Sequence, residues 1–493
     1  MKVWKEEEVV KPNIILIMAD QLNYDGVGVH NPHISTPTLD QFAKEGFDFH
    51  QAYSATPTCI PARATLMSGL KATSTGIVGY DETANWNFPY TLASIFQERG
   101  YYTKAIGKLH VNPSRKMMNF HHIELHDGYL HATRQGDLSH KKSYQATDDY
   151  YTWLNHQGFD LTDSGLDPNS WVARPFPYHE RYHPTNWATE RAIDFLRVRD
   201  KEMPFFLMLS YVRPHSPLDP PEFYFNKYMQ SLPRDLRPIS GDWNHSSQKE
   251  PVRTIDSLFG QLSSEDYRSM LAGYYGNITH MDHQIQRFLI HLQEAGELKR
   301  SIIVFVSDHG DQLGHHGLFR KGFPYQHSIH IPLFIYDPGN LLGSDRSKVS
   351  DIDMLVDLSD ILPTLLDLAT EEILEEVDGR SVKPYLYNDR AEPIRQYLHG
   401  EHVLGEWSHQ FILKLPFKYI WYTQTGEEQL FDLARDPEET HNLINEPNLQ
   451  ETIGELRMIL VEELKERPEG FVLEDTLIAG QAQKPLIYPQ DNS

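Results

Sequence analysis

Cys59 is the sole cysteine among 493 residues, so an intrachain disulfide and a thiolate-rich zinc site are both excluded and this sulfur has to be explained alone. It stands in Thr58-Cys59-Ile60-Pro61-Ala62-Arg63, ahead of Ala64, Thr65, Leu66 and Met67. Pro61 in a first helical turn, with helix formers behind it, puts Cys59 at a helix N-terminus, where unpaired N–H groups and the helix dipole favour an anion. Arg63 falls one turn later on the same face. A loop of the tyrosine-phosphatase kind needs its arginine six residues after the cysteine; this chain has Thr65 there, and that alternative fails on spacing.

The other chemically equipped residues follow short apolar runs. Runs at 13–19, 102–106, 204–211, 301–306 and 331–336 have strand length and read as buried parallel strands. Ligands of an open α/β sheet gather beyond the carboxyl ends of such strands. Those ends carry Asp20-Gln21, Lys108-Leu109-His110, Arg213-Pro214-His215 and Asp308-His309. Two aspartates with Gln21 and His309 offer mostly hard oxygen donors and one imidazole, a set suited to Ca²⁺, Mg²⁺ or Mn²⁺. A single aspartate after a strand more often caps the next turn. It is the pairing at two strand ends that points to a metal.

Helical patterns lie between the runs. Thr36-Pro37 with Leu39, Phe42 and Ala43 before Gly46, and again the stretch 91–100, show a cap, an apolar face and a terminal glycine. Ser263 and Asp266 form a capping box ahead of a long helix in which Met281, Ile285, Phe288, Leu289 and Leu292 keep helical spacing. Strand–helix alternation predicts an α/β sandwich with a mainly parallel sheet over residues 1–378. From 379 to 493 the pattern changes to a small α+β unit, with a hairpin of 417–423 and 429–433 around Thr425-Gly426 and a helix over 451–465. The polar, His-rich stretch 113–167 shows no period and is expected to be an insertion or loop.

Hydrophobic residues at 40% and aromatic residues at 12% supply a normal core. A net charge of −24 argues against general binding to nucleic-acid phosphates. No apolar run reaches the ~18 residues of a membrane span, and the acids of the first ten residues do not resemble a signal peptide, so a cytoplasmic location is expected, with no membrane partner.

Taken together, these segments carry a family resemblance. Cys59-Ile60-Pro61-Ala62-Arg63 matches the C-x-P-x-R signature of type I sulfatases, whose fold is alkaline phosphatase-like. Asp20-Gln21, Gly107-Lys108-Leu109-His110, Pro214-His215-Ser216-Pro217 and Ser307-Asp308-His309-Gly310-Asp311 with Lys321 resemble the family's remaining site segments in order. The tail around Lys418-Tyr419-Ile420, Leu430-Phe431-Asp432-Leu433 and Asp436-Pro437 is similar to the family's C-terminal subdomain.

The resemblance implies that a maturation enzyme converts Cys59 to formylglycine. It implies one divalent cation, Ca²⁺ before Mg²⁺ or Mn²⁺, on Asp20, Gln21, Cys59, Asp308 and His309, and catalytic roles for Cys59, Arg63, Lys108, His110, His215 and Lys321. The substrate implied is a sulfate monoester of a small alcohol or an oligosaccharide. Two departures stand out: Gln21 where many members have aspartate, and His330 where many have arginine. Phosphonate monoester or phosphodiester hydrolysis within the same superfamily, and noncatalytic anion binding, are the competing readings. Trp86, Tyr325, His327 and His402 are candidates for the approach to the site. Oligomeric state is not legible.

Overall fold

The computed structural model describes residues 11–127, 147–344, 351–387 and 391–487. Its centre is an eight-stranded sheet of β1 (Asn13–Asp20), β2 (Phe47–Tyr53), β3 (Tyr102–Gly107), β4 (His122–Leu125), β5 (Phe205–Pro214), β6 (Ser301–Ser307), β7 (Leu333–Tyr336) and β8 (Asp351–Asp357). The strand order is β4-β3-β5-β1-β6-β7-β2-β8. Every strand but β7 runs the same way.

β1 shows why the central strands read as unbroken apolar runs. Ile15, Ile17 and Ala19 enter a core layer shared with α1 (Pro37–Glu45), α5 (Pro184–Val198) and α6 (Ser264–Glu294). Ile14, Leu16 and Met18 enter the opposite layer with α2 (Cys59–Ser68), α3 (Leu92–Glu98) and α7 (Ile361–Thr370). A period of two with both faces covered leaves no polar position between Asn13 and Asp20. The expected α/β/α sandwich is thus observed.

The caps are built as the sequence suggests at two of three places. Thr91 and Ser94 form a capping box at α3, and Ser263 accepts from Asp266 N at 3.1 Å at α6. At α1 the cap comes from elsewhere: the Asp282 carboxylate in α6 accepts from Thr38 N and Leu39 N at 2.8–3.1 Å.

Two expectations need correction. The run 331–336 is not a parallel strand; β7 lies antiparallel to β6 and to β2, because an apolar run encodes burial and carries no direction. The stretch 113–167 is not one loop: it holds β4 at the sheet edge and α4 (Asp149–His156), capped by the Asp148 side chain on Tyr151 N. Its positions 128–146, with His131 and His140, lie outside the described residues.

The C-terminal part forms a four-stranded antiparallel sheet, β12-β11-β10-β9, from β9 (Leu398–His402), β10 (His409–Lys414), β11 (Phe417–Tyr422) and β12 (Glu428–Asp432). Helix α8 (Gln450–Leu464) packs on one face through Ile453, Leu456 and Leu460. The other face shares a core with the large domain: Phe411, Ile420 and Phe431 meet Tyr53, Phe323, Tyr325 and Ile329. Lys418 and Glu439 form a buried ion pair at this junction, where Lys418 Nζ also donates to Pro324 O at 2.5 Å. Among the described residues no helix is long and apolar enough to cross a membrane.

Candidate active site

The neighbouring parallel strands β3, β5, β1 and β6 end side by side, which brings Lys108, His215, Asp20 and Asp308 to one edge of the sheet. His215 N donates to Asp20 O at 3.0 Å, fixing the loop after β5 to the end of β1. The turn after β3 requires Gly107: its φ is +95°, and a Cβ there would lie 1.9 Å from Ser210 O. Lys108 N donates to that same carbonyl at 2.9 Å. Asp127 then gathers Leu109 N and His110 N on one carboxylate oxygen, at 2.6 and 2.8 Å.

Cys59 is the first residue of α2, a helix buried along all its ten residues. Its Sγ lies 3.2 Å from His309 Nε2, 3.5 Å from Lys108 Nζ and 3.7 Å from Asp20 Oδ1. Ligand atoms of Asp20, Cys59, Asp308 and His309 all lie within 4.8 Å of one another. Arg63 sits beneath them without solvent contact, donating through Nε to Asp308 Oδ2 at 2.8 Å and through one terminal nitrogen to Lys108 O and Ser210 Oγ at 2.6 and 3.0 Å. Lys108 Nζ pairs with Asp20 Oδ2.

Charge is distributed unequally across this cluster. Burial would raise Asp20, but Lys108, His215, Lys321 and Arg63 together hold it well below the usual carboxylate range. Burial and the charge of Asp20 push Asp308 up. Burial and Asp20 also push the Cys59 thiol up, yet Lys108, Lys321 and His309 outweigh them and bring it down to about 6. His309 donates Nδ1–H to Gly310 O at 3.0 Å, which turns Nε2 toward Cys59 Sγ and the two carboxylates.

Gln21 stands beside the donors with its amide engaged at both ends: Oε1 accepts from Lys321 Nζ and Nε2 donates to Asp311 Oδ2, each at 2.5 Å. Its backbone N–H points at Asp308 Oδ1, 3.1 Å away. Asp311 also accepts from Leu313 N and Arg320 N at 2.9 and 3.0 Å, so one carboxylate shapes the loop that delivers Lys321.

Above Cys59 opens a cleft of about 420 Å³ whose walls include His110, His215 and Lys321 together with Tyr80, Asn169, Leu258, Arg320, Val403, Leu404 and Pro485. His215 donates Nδ1–H to Ser216 O at 2.7 Å; burial and Lys321 push it well below the usual imidazole range. Arg213, from the same strand end, turns onto Asp219 at 2.7 and 3.0 Å instead. The ring of His110 meets Tyr80 edge-on.

All ten site residues singled out in the sequence are therefore in or bordering this cluster. Of the four approach candidates only His402 is in the cleft wall, its Nε2 2.9 Å from Thr58 Oγ1. Trp86 is core, Tyr325 is tied to Tyr422 and Gln429 under the small sheet, and His327 lines a separate cleft. Asp127, Tyr80 and Asn169 were missed, and Asp311, named within its segment, was given no role of its own. The two aspartates act on backbone amides, which no spacing advertises, and the other two reach the wall by tertiary path alone.

Comparison with known proteins adds to this picture. The family profile described as Sulfatase matches residues 12–371, and that described as N-sulphoglucosamine sulphohydrolase, C-terminal, matches residues 314–466. An arylsulfatase of Clostridium perfringens (strain 13 / Type A) is 47% identical over 97% of this chain and 100% of its own length. Among solved structures, a chain captured with its substrate D-glucosamine-2-N,6-O-disulfate superposes with a TM-score of 0.71 at 23% identity, over 92% of this chain and 98% of that one. The phosphonate monoester hydrolase of Agrobacterium radiobacter superposes at 0.74, also 23% identical, over 92% and 96%. At such identity the two structures speak for the fold.

Proposed function

This chain belongs to the sulfatase family and is a sulfuric ester hydrolase, and from that premise we propose that it cleaves sulfate monoesters with Cys59, oxidised to formylglycine by a separate maturation enzyme, and one divalent cation. The convergence of Cys59 with Asp20, Asp308 and His309 at the base of the cleft supports this most directly. Two carboxylates, an imidazole and the nearby Gln21 amide fit a hard ion, Ca²⁺ before Mg²⁺ or Mn²⁺. Held there, such a cation would supply positive charge that acidifies a nearby hydroxyl. Hydrated formylglycine would supply two hydroxyls on one carbon, where serine supplies one.

The protein's own groups do the rest. Lys108, in contact with both Asp20 and Cys59, and Lys321, reaching in over Gln21, present fixed positive charge to the sulfuryl oxygens, where preorganised charge is worth most. Arg63 keeps Asp308 and the Lys108 backbone in place. His215 has its Nδ1–H committed to Ser216 O, so Nε2 carries the proton given to the departing alcohol. Burial and Lys321 hold it well below the usual imidazole range, so it is charged only when the ester's negative charge sits beside it. His110, the other imidazole in the cleft wall, takes the proton whose removal frees sulfate.

The apolar walls Tyr80, Leu258, Val403, Leu404 and Pro485, with the arylsulfatase among the relatives, support an aromatic alcohol; Asn169 and Arg320 leave room for a sulfated sugar. The test is the mass of the Cys59 peptide from protein made with a maturation enzyme, followed by turnover of aryl sulfates, sulfated mono- and oligosaccharides, and phosphate and phosphonate esters. Aldehyde at position 59, preference for sulfate esters and a loss on the order of 10³-fold or more in Cys59→Ser are expected. An unmodified thiol in active enzyme, or preferred phosphodiester cleavage, would overturn the reading.

A further inference from the structure

We propose that the chain carries a second metal site, for a zinc-class divalent ion, formed by His30, Asp48 and His50. His30 lies in the loop that follows β1, and Asp48 and His50 are two residues apart in β2, hence on one face of that strand. One ligand atom from each lies within 4.8 Å of the others. His30 Nε2 is 2.8 Å from Asp48 Oδ2, and the two imidazoles stand edge to face, ring centres 6.0 Å apart and inclined by 61°.

The decisive atom is Asp48 Oδ1. The Asp48 side chain is 3% exposed, its second oxygen has no hydrogen-bond partner, and His30 is its one ion-pair partner among the described residues. A buried carboxylate with an unpaired oxygen is costly unless a cation or donor meets it. The surroundings are those of ligated histidines. His30 donates Nδ1–H to Tyr24 O at 3.1 Å, so an ion would enter at Nε2 in place of the proton now shared with Asp48 Oδ2. His50 keeps a partner whichever nitrogen binds: Tyr24 Oη is 2.8 Å from Nδ1 and Asp351 Oδ1 is 3.2 Å from Nε2. Tyr24 stacks between His30 and His330 at 3.8 and 3.9 Å, locking the imidazole plane. The His50 side chain is one-third exposed and gives the ion a way in.

Two imidazoles and one carboxylate, with a position left for water, suit zinc and its neighbours; the catalytic donors are harder. A rival cluster, His315, His327 and Glu438, lacks this build: its imidazoles lie face to face at 3.9 Å, and His315 Nδ1 accepts from Ile239 N, so Nε2 keeps its proton. An ion at His30 would pin the loop after Gln21 to β2, and so brace the active site from behind without touching substrate.

The test is zinc stoichiometry by equilibrium dialysis after chelation, repeated with Co²⁺ and its visible absorption, on the full-length wild type and on His30→Gln and His50→Gln. Each variant is expected to bind one equivalent fewer than wild type and to lose the Co²⁺ bands of an imidazole site. His50→Gln, at the surface, decides the matter if His30→Gln does not fold. Equal stoichiometry in wild type and variants would show a hydrogen-bonded network without an ion and overturn the proposal. The readout is a difference, so it does not depend on how the catalytic centre is loaded.

Discussion

Arg63 commits three N–H groups, one each to Asp308, the Lys108 carbonyl and Ser210, in a site closed to solvent, while its second terminal nitrogen stands 4.0 Å from Asp20 Oδ2 without a hydrogen bond. A lysine has the charge but not the planar fork. Arg63→Lys is expected to cost about 2–4 kcal/mol of stability, read by urea unfolding, because Asp308 keeps its burial and loses its partner. His215 makes a sharper prediction. His215→Ala should lower kcat by about 10²–10⁴-fold on an alkyl sulfate and far less on a nitrophenyl sulfate, whose leaving group needs no proton. Equal losses on both would remove it as the acid. Asp20, Lys108, His215 and Asp308 were legible because each follows an apolar run that can only be a strand. Asp127 was not, nor was the role of Asp311, since holding a neighbour's amide leaves no mark in spacing.

Elements fix these residues through a few unforgiving positions. At Gly107 a methyl group would strike Ser210 O, so Gly107→Ala is expected to cost more than about 1 kcal/mol and to lower kcat by displacing Lys108, as unfolding midpoints and turnover would show together. Helix α5 is capped by His183, whose Nδ1 accepts from Thr185 N at 3.2 Å. Burial lowers His183 to about 3. The unfolded chain therefore binds a proton below about pH 6.5 that the folded chain refuses, and the stability present above that pH is lost as pH falls. His183→Asn keeps a cap and removes the proton. Between about pH 6 and 4 wild type should lose stability relative to it by about 1.4 kcal/mol per pH unit, measured as urea midpoints. β2 and β8 escaped the sequence reading for a related reason: FDFHQAY and DIDMLVD mix polar residues into strands near the sheet edge, and their partners are distant in sequence.

At the scale of the molecule the small sheet is part of the large core. Val382, Tyr385 and Leu386 belong to the same apolar layer as α2 and α7, and Phe411, Ile420 and Phe431 close over Tyr53 and Tyr325. A fragment ending at residue 378 is expected to be insoluble or molten, by soluble yield and near-ultraviolet dichroism, because it exposes both surfaces. The last wall of the cleft arrives later still: Pro485 accepts from Val78 N at 2.8 Å and stands across from His402 above a Cys59 that is 2% exposed. Another protein has no route to that sulfur once those segments have closed. On the proposed reading, oxidation belongs to the interval between emergence of residues 58–63 from the ribosome and delivery of residue 485. At about 5–20 residues per second this lasts on the order of tens of seconds. The yield of active enzyme is then settled by a race against translation, and slowing synthesis of the second half of the chain should raise it.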